Sequence, residues 1–444
     1  MKMLKENKTG ILARAICLAL VVLMLGAAFC SCAPDKEEVK DPILSYGEHE
    51  IPLGLYEFML SRMKGTLARN KYDVTVTSEF WTDIHPSTED VTNQDYYNKV
   101  ILDNCRNYLA ALVIFEKEGL SLSDDVLESI DEEIQFYIDY DANGSVEEFD
   151  KILADYGTNS KELRQIYIIE AKYQAVVSWL YGSNASKIAD KVKEEYYEEN
   201  YYRFKQILVA NFYYEFQKDE NGDIIYFSSE SGLPVYDESG KYKYDDKGSR
   251  IKDSFGVEIR FDENGKWLYD TENGYPAPTT NDKGEAIKHY YSEEEMEVRY
   301  LEAQKIRESA NGGNYPAFES QMKDWQLYKG ATDYYTDGYY LSDIESAGYD
   351  EYLCDILDNL KDMEVGESRL VESDSGYHVV VKYELDKGKY DESEYSAWFE
   401  GFNQSLITKL FLNKCSDFYS DIKTNEDNLK KAESMKYIGI NYNY

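Results

Sequence analysis

Phe204-Lys-Gln-Ile-Leu-Val209 and, far downstream, Ser375-Gly-Tyr-His-Val-Val-Val-Lys382 are the two stretches whose reading decides the fold. Both are short and apolar, and the second carries three consecutive β-branched residues, which suit a pleated, packed surface. Almost everything before the first stretch has helical period instead. Tyr97, Ile101, Cys105, Tyr108 and Leu112 recur at spacings of three and four within residues 94–118, the stripe of a helix that buries one face. Gly119 closes that helix, and Ser123 with Asp124 and Asp125 opens the next. Ser145-Val-Glu-Glu148 reads as a capping box, and Gly182 ends a further helix begun at Asn159. A short strand-like stretch with a Gly-Glu turn (Ile43 to Ile51) and a helix from Leu55 to Ala68 precede them. Helices followed by strands give an α+β class.

Residues 213–290 have another character. Glycines at 222, 240, 248, 265, 274 and 284 end short polar groups, and between them lie tyrosine-rich runs such as Ile224-Ile-Tyr-Phe227 and Lys266-Trp-Leu-Tyr269. Turn residues flanking short aromatic strands predict an antiparallel β-hairpin insertion. None of its acidic loops supplies the alternating ligands and terminal Glu of a calcium loop. After it come a helix from Ser292 to Ala310, a Gly312-Gly313 break, a short helix around Phe318 and a turn at Thr336-Asp-Gly338. A helix from about Tyr349 to Leu360 and the strand ending at Lys382 follow. A long helix from Ser393 to about Ile422 and a polar tail complete the chain.

Composition narrows the function. The 444 residues carry 48 Lys and Arg against 85 Asp and Glu, a net charge of −37. Such a surface repels phosphate backbones, and nucleic acid is excluded as a partner. Lys2, Lys5, Lys8 and Arg14 precede an apolar run from Ala15 to Phe29, which is short for a bilayer span and fits an export signal. Small residues then lead to Cys30-Ser31-Cys32, which resembles a bacterial lipoprotein signal in which cleavage precedes the lipid-bearing cysteine. Cys32, preceded by Ser31, is the lipidation site on that reading, with residues 1–31 as signal and 32–42 as tether. Cleavage removes four basic residues and Glu6, leaving 44 basic and 84 acidic residues and a charge of −40. That charge predicts a preference for cationic partners, weakened by salt. Cys105, Cys354 and Cys415 are too few and too scattered for a disulfide framework. The four histidines (49, 85, 289 and 378) show no metal-ligand spacing. No metal or cofactor is expected.

The two opening stretches resemble the first and last strands of parvulin-type prolyl isomerases. Phe204-Lys-Gln-Ile-Leu-Val209 is similar to the family's His-Ile-Leu-Val strand. Val365-Gly-Glu-Ser-Arg-Leu-Val371 with Ser375-Gly-Tyr-His378 is similar to its closing Gly-Glu … Gly-Tyr-His segment. The preceding helices, and the Glu116 to Asp125 junction, resemble the chaperone half of PrsA and SurA foldases. The resemblance implies a helical chaperone domain (43–202) and a parvulin-like domain (203–387) in which helices pack on a small antiparallel sheet. The 213–290 insertion interrupts that domain, and a C-terminal helix and tail (388–444) follow it. It implies a lipid-anchored protein on the extracytoplasmic face of the cell membrane that binds unfolded, newly exported polypeptides. As a peptidyl-prolyl cis–trans isomerase it would act on X–Pro bonds, and it is compatible with a homodimer.

Carried over residue by residue, His378 falls on the family's second histidine and Ser375 on its small hydroxyl residue. Gln206 replaces the first histidine, retaining hydrogen bonding but losing titration. Asp324 occupies the region of the family's Asp or Cys, and Tyr349 and Tyr352 fall where aromatic proline-pocket walls are expected. Two other readings stand beside this one. One is a holdase whose isomerase domain has lost its chemistry. The other is an extracellular binding lipoprotein whose tyrosine-rich insertion recognises a glycan or a protein. For His378 the plain alternative is a hydrogen-bonded histidine that holds the sheet; for Tyr349 and Tyr352 it is ordinary helix core.

Overall fold

A computed structural model describes residues 40–69, 79–322, 324–325 and 338–444. The signal, Cys32 and most of the tether lie outside the described residues. No helix among the described residues is long and apolar enough to cross a membrane. The protein is α+β with small antiparallel sheets, and it divides into two compact units.

The first unit takes residues up to Ala189 and returns for Asn403–Tyr444. Strands β1 (Pro42–Tyr46) and β2 (His49–Pro52) form a hairpin, followed by α1 (Leu53–Arg69) and α2 (Asn93–Lys117). Helices α3 (Asp124–Ala142), α4 (Val146–Ala154) and α5 (Ser160–Tyr181) follow. Their ends are set by short polar side chains. Thr92, Ser123, Ser145 and Asn159 each accept a backbone N–H from the first turn, satisfying donors the helix cannot. Most of the apolar stripes pack into a core containing Phe58, Ile101, Cys105, Leu109, Ile134, Phe149 and Leu163, and Ala110, Ile114, Phe115 and Val176 join Phe411 in a second cluster.

The C-terminal segment is part of this core. Met435 and Ile438 are buried in it, and Lys423–Thr424 pairs with β1. Lys64, with no exposed surface, donates from Nζ to the carbonyls of Lys436 at 2.9 Å and Ile438 at 2.6 Å. Burial lowers its pKa to about 8. The expected long helix from Ser393 is in fact a 3₁₀ turn (Ser393–Trp398) and a helix beginning only at Phe402. Gly401 separates them, and its N–H is taken by Glu345 Oε1 at 2.8 Å instead of a helical carbonyl.

The second unit spans Asp190–Phe402. Helix α6 (Asp190–Asn200) runs into β3 (Tyr201–Ala210), which carries the first stretch quoted above. The insertion contributes β4 (Phe212–Tyr214), β5 (Tyr226–Phe227), β6 (Lys241–Tyr242), β7 (Arg260–Phe261), β8 (Tyr275–Pro276) and β9 (Lys288–Tyr290). They pair as nested hairpins, β4 with β9, β5 with β8 and β6 with β7. Then come α7 (Glu293–Ala310), α8 (Tyr315–Met322), β10 (Tyr339–Ser342), α9 (Glu351–Asp362), β11 (Ser368–Ser373) and β12 (Gly376–Tyr383). A capping box starts α7, where Ser292 accepts from Glu295 N–H and the Glu295 carboxylate accepts from Ser292 N–H.

The main sheet is antiparallel in the order β10-β3-β12-β11, so the two opening stretches are its adjacent central strands. Their register sets His378 opposite Leu208 and Val380 opposite Gln206. Phe204, Val371 and Val380 pack with Ile356, Leu357 and Leu360 of α9 on one face. Ile207, Val209, Val379 and Val381 pack with Ala303 and Ile306 of α7 and Phe318 of α8 on the other. Helices on both faces explain why these strands read as continuous apolar runs rather than as alternating ones.

The insertion is a repetition that its glycines only partly revealed. At 219, 228, 237, 245, 253, 262, 270 and 281 an Asp, Ser or Asn side chain accepts the backbone N–H two residues on. A glycine follows three or four residues after each of them. Gly232 and Gly256, absent from the sequence expectation, complete the series.

Candidate functional site

Side chains of one parity on β3 and β12 face α9: Phe204 and Gln206 on the first strand, His378 and Val380 on the second. The pleat therefore carries the Gln206 amide and the His378 imidazole to the same surface. His378 Nδ1 and Gln206 Oε1 lie 2.8 Å apart, and His378 Nε2 lies 2.8 Å from Ser373 Oγ. Because the amide oxygen can only accept, Nδ1 carries the proton and Nε2 accepts from the Ser373 hydroxyl. Ser373 Oγ in turn accepts from the Ser375 N–H at 3.1 Å. The Tyr352 ring, from α9, stacks on the imidazole with centroids 5.0 Å apart and an interplanar angle of 11°.

His378 is 3% exposed, and burial, with no carboxylate as a counterweight, lowers its pKa to about 4. The imidazole is neutral at physiological pH and its tautomer is fixed at both nitrogens. The site thus offers an oriented, partly desolvated hydrogen-bonding group set among apolar and aromatic side chains.

The expected residues are distributed unevenly. His378, Gln206 and Tyr352 are brought together. Ser375 contributes its backbone N–H, while the hydroxyl on the imidazole belongs to Ser373, which sequence reading passed over. The signal was present in the hairpin itself: Ser373 pairs with Gly376 and Val371 with His378, so a tight turn folds Ser373 back beside the ring. Tyr349 lies just before α9, and its hydroxyl accepts the Ser342 N–H at 3.1 Å, tying β10 to the loop. Burial pushes its pKa up to about 12.

Asp324 is exposed and follows α8. Its neighbour Trp325 packs in the cluster on the sheet face opposite α9. It is therefore not gathered with His378, because Trp325 beside it packs on the far side of the sheet. Of the expected turn only Gly338 is described; Thr336 and Asp337 lie outside the described residues. Cys105, Cys354 and Cys415 are free thiols, and among the described residues no group of His, Cys, Asp and Glu could hold a metal ion.

No protein-family model matches the chain, and no curated protein matches it. Among solved structures, the crystal structure of PrsA from Bacillus subtilis aligns at 15% identity over 78% of this chain and 91% of that one, with a TM-score of 0.18. Foldase protein PrsA from Streptococcus pneumoniae aligns at 12% identity over 79% of this chain and 97% of that one, also with a TM-score of 0.18.

Proposed function

We propose that the chain is an extracytoplasmic foldase that binds unfolded exported polypeptides and speeds isomerisation of their X–Pro bonds at the β3–β12 site. The observation that carries this reading is the His378 network. Two segments that resemble the parvulin strands lie side by side, and the residues that fall on the family's histidine pair meet at 2.8 Å. The reaction needs no covalent step. Its barrier of about 18–20 kcal/mol comes from the partial double bond of the amide. A surface that desolvates the prolyl amide and favours its twisted state lowers that barrier. His378, Gln206 and Ser373 would supply oriented polar groups, and Tyr352 an aromatic wall. In this reading residues 1–31 direct export and Cys32 bears the lipid that holds the protein at the outer face of the membrane.

A specific observation favours a second reading. Both imidazole nitrogens are already satisfied within the protein, and the ring is buried beneath Tyr352. That is what a histidine devoted to holding the sheet would look like in a holdase without isomerase activity. A protease-free prolyl isomerisation assay separates the two. Isomerase action predicts that His378→Ala lowers turnover by at least roughly tenfold, the worth of one hydrogen bond to the reacting amide. Gln206→His, which restores the family's pair, should keep or raise turnover. Turnover at background in the unmodified protein would leave only the holdase, whose suppression of client aggregation His378→Ala would not change.

A further inference from the structure

The nested hairpins of the insertion enclose a cavity of about 220 Å³, lined in part by Trp267, Tyr269, Phe255, Asp219 and Asp253. We propose that this cavity binds a guanidinium or ammonium side chain, arginine by preference, of a cationic polypeptide.

Two of its carboxylates, those of Asp219 and Asp253, are held in fixed orientations. Oδ1 of Asp219 accepts the N–H groups of Asn221 and Asp223, each at 2.9 Å, and Oδ2 accepts from the Tyr269 hydroxyl at 3.3 Å. Oδ1 of Asp253 accepts from Phe255 and Val257, each at 2.9 Å, and Oδ2 accepts from the Tyr236 hydroxyl at 2.8 Å. The two tyrosine rings stack at 4.9 Å and fix both hydroxyls. Neither carboxylate has an ion-pair partner among the described residues. Lys218 and Glu220, on the lining as well, offset one another, so the cavity keeps two negative charges.

Three properties select the ligand. The lining is rich in acceptors, and guanidinium is a planar group with five donors and no acceptor. The walls are aromatic, and the negative face of such a ring attracts a cation placed over it. The volume is below the roughly 300–1,000 Å³ of a drug-sized pocket and fits one side chain. The module already holds a cation of its own in this way. Arg250 lies 3.9 Å from the Tyr242 ring centroid and bonds to Glu258 at 2.6 Å.

The ligand's source rests on the reading of the chain as a binder of unfolded polypeptides; the site itself does not. The test is calorimetry on the full chain with an unstructured arginine-containing peptide and its citrulline counterpart, equal in shape but neutral. The arginine peptide should bind at least tenfold more tightly. Asp219→Asn and Asp253→Asn should each weaken it about tenfold, the effect of one charge-assisted hydrogen bond. Asparagine supports this turn: Asn281 Oδ1 accepts from Lys283 and Glu285 at 3.0 Å in the last repeat. These variants should therefore fold, and their prolyl isomerisation should be unchanged, which keeps a failure here apart from a failure at His378. Equal binding of the citrulline peptide, or no effect of either variant, overturns the proposal. So does binding of a chitin oligosaccharide that the same variants abolish, which would make the cavity a glycan site.

Discussion

The main sheet and the insertion lie in the same unit, and both are antiparallel β structure, yet different forces hold them. In the sheet, β3 and β12 run for ten and eight residues, and Val379, Val380 and Val381 have no exposed surface. Burial of each such side chain contributes about 1.5–3 kcal/mol. In the insertion the inner strands are two residues long, and a pair that short forms no stable ladder alone. Eight side-chain-stapled turns and a small cluster around Phe227, Tyr236, Ile259, Phe261 and Tyr269 stand in its place. The long strands here draw their stability from burial on both faces. Short ones can be assembled from turns, if the turns repeat.

The sharpest way to break this comparison is to place the same substitution in both regions, beginning where the largest effect is expected. Gly376 has a φ of +126°, and a Cβ there would lie 2.4 Å from the Val209 carbonyl oxygen and 2.9 Å from Ala210 Cα. Backbone cannot yield as a side-chain tip does, and the strand it would press on is central. Gly376→Ala should cost about 3–4 kcal/mol, combining backbone strain with overpacking. The unfolding transition of this unit, followed by near-UV circular dichroism, should fall by many degrees. A shift of only a degree would mean that the sheet is far more compliant than its burial implies.

These costs also indicate what a sequence can carry. The central strands were legible because their apolar runs, β-branched residues and flanking turns are local. Gln206 and His378 are legible as strand residues because they fall in two apolar runs, whereas their meeting at 2.8 Å depends on the strand pairing. Ser373 was missed because choosing between it and Ser375 depends on the hairpin register, which is a property of paired strands. Asp324 rests on the order of segments in the family resemblance, and order along the chain does not reveal which face of a sheet a loop reaches. The C-terminal tail is polar on average, but Met435 and Ile438 are buried by helices more than 300 residues earlier, beyond the reach of any local window.

The next largest effect is acid sensitivity confined to the sheet. Folding lowers the His378 pKa from an ordinary value near 6.5 to about 4, so the folded state binds fewer protons between those values. The stability the neutral ring contributes is fully present above about pH 6.5 and is lost as pH falls through 6.5 toward 4. At about 1.4 kcal/mol per pH unit, the loss approaches 3 kcal/mol by pH 4. Carboxylates elsewhere protonate at the lower end of this range, so the quantity to measure is a difference. Unfolding free energy from urea titration, unmodified protein minus His378→Gln, should decline from pH 7 to pH 4. A flat difference would place the ring in a wetter setting than its 3% exposure implies.

The smallest effect should appear in the insertion. Gly248 has a φ of +79°, with nothing within 4 Å of where a Cβ would stand. Gly248→Ala therefore meets strain alone, about 1 kcal/mol. Asp245→Ala removes the acceptor for the Lys247 and Ser249 N–H groups, both exposed, which water can then solvate; the expected cost is also about 1 kcal/mol. Asp245→Asn keeps that oxygen and should cost almost nothing. Limited proteolysis within residues 213–290 reads these changes, since cleavage follows the population of the opened module. If turns hold this region, the order of susceptibility is Asp245→Ala close to Gly248→Ala, both well above Asp245→Asn. If Asp245→Ala proves silent, the ring cluster carries the module and the repeated turns only direct the chain. The insertion would then be a smaller version of the sheet, and the distinction between burial and turn chemistry would collapse.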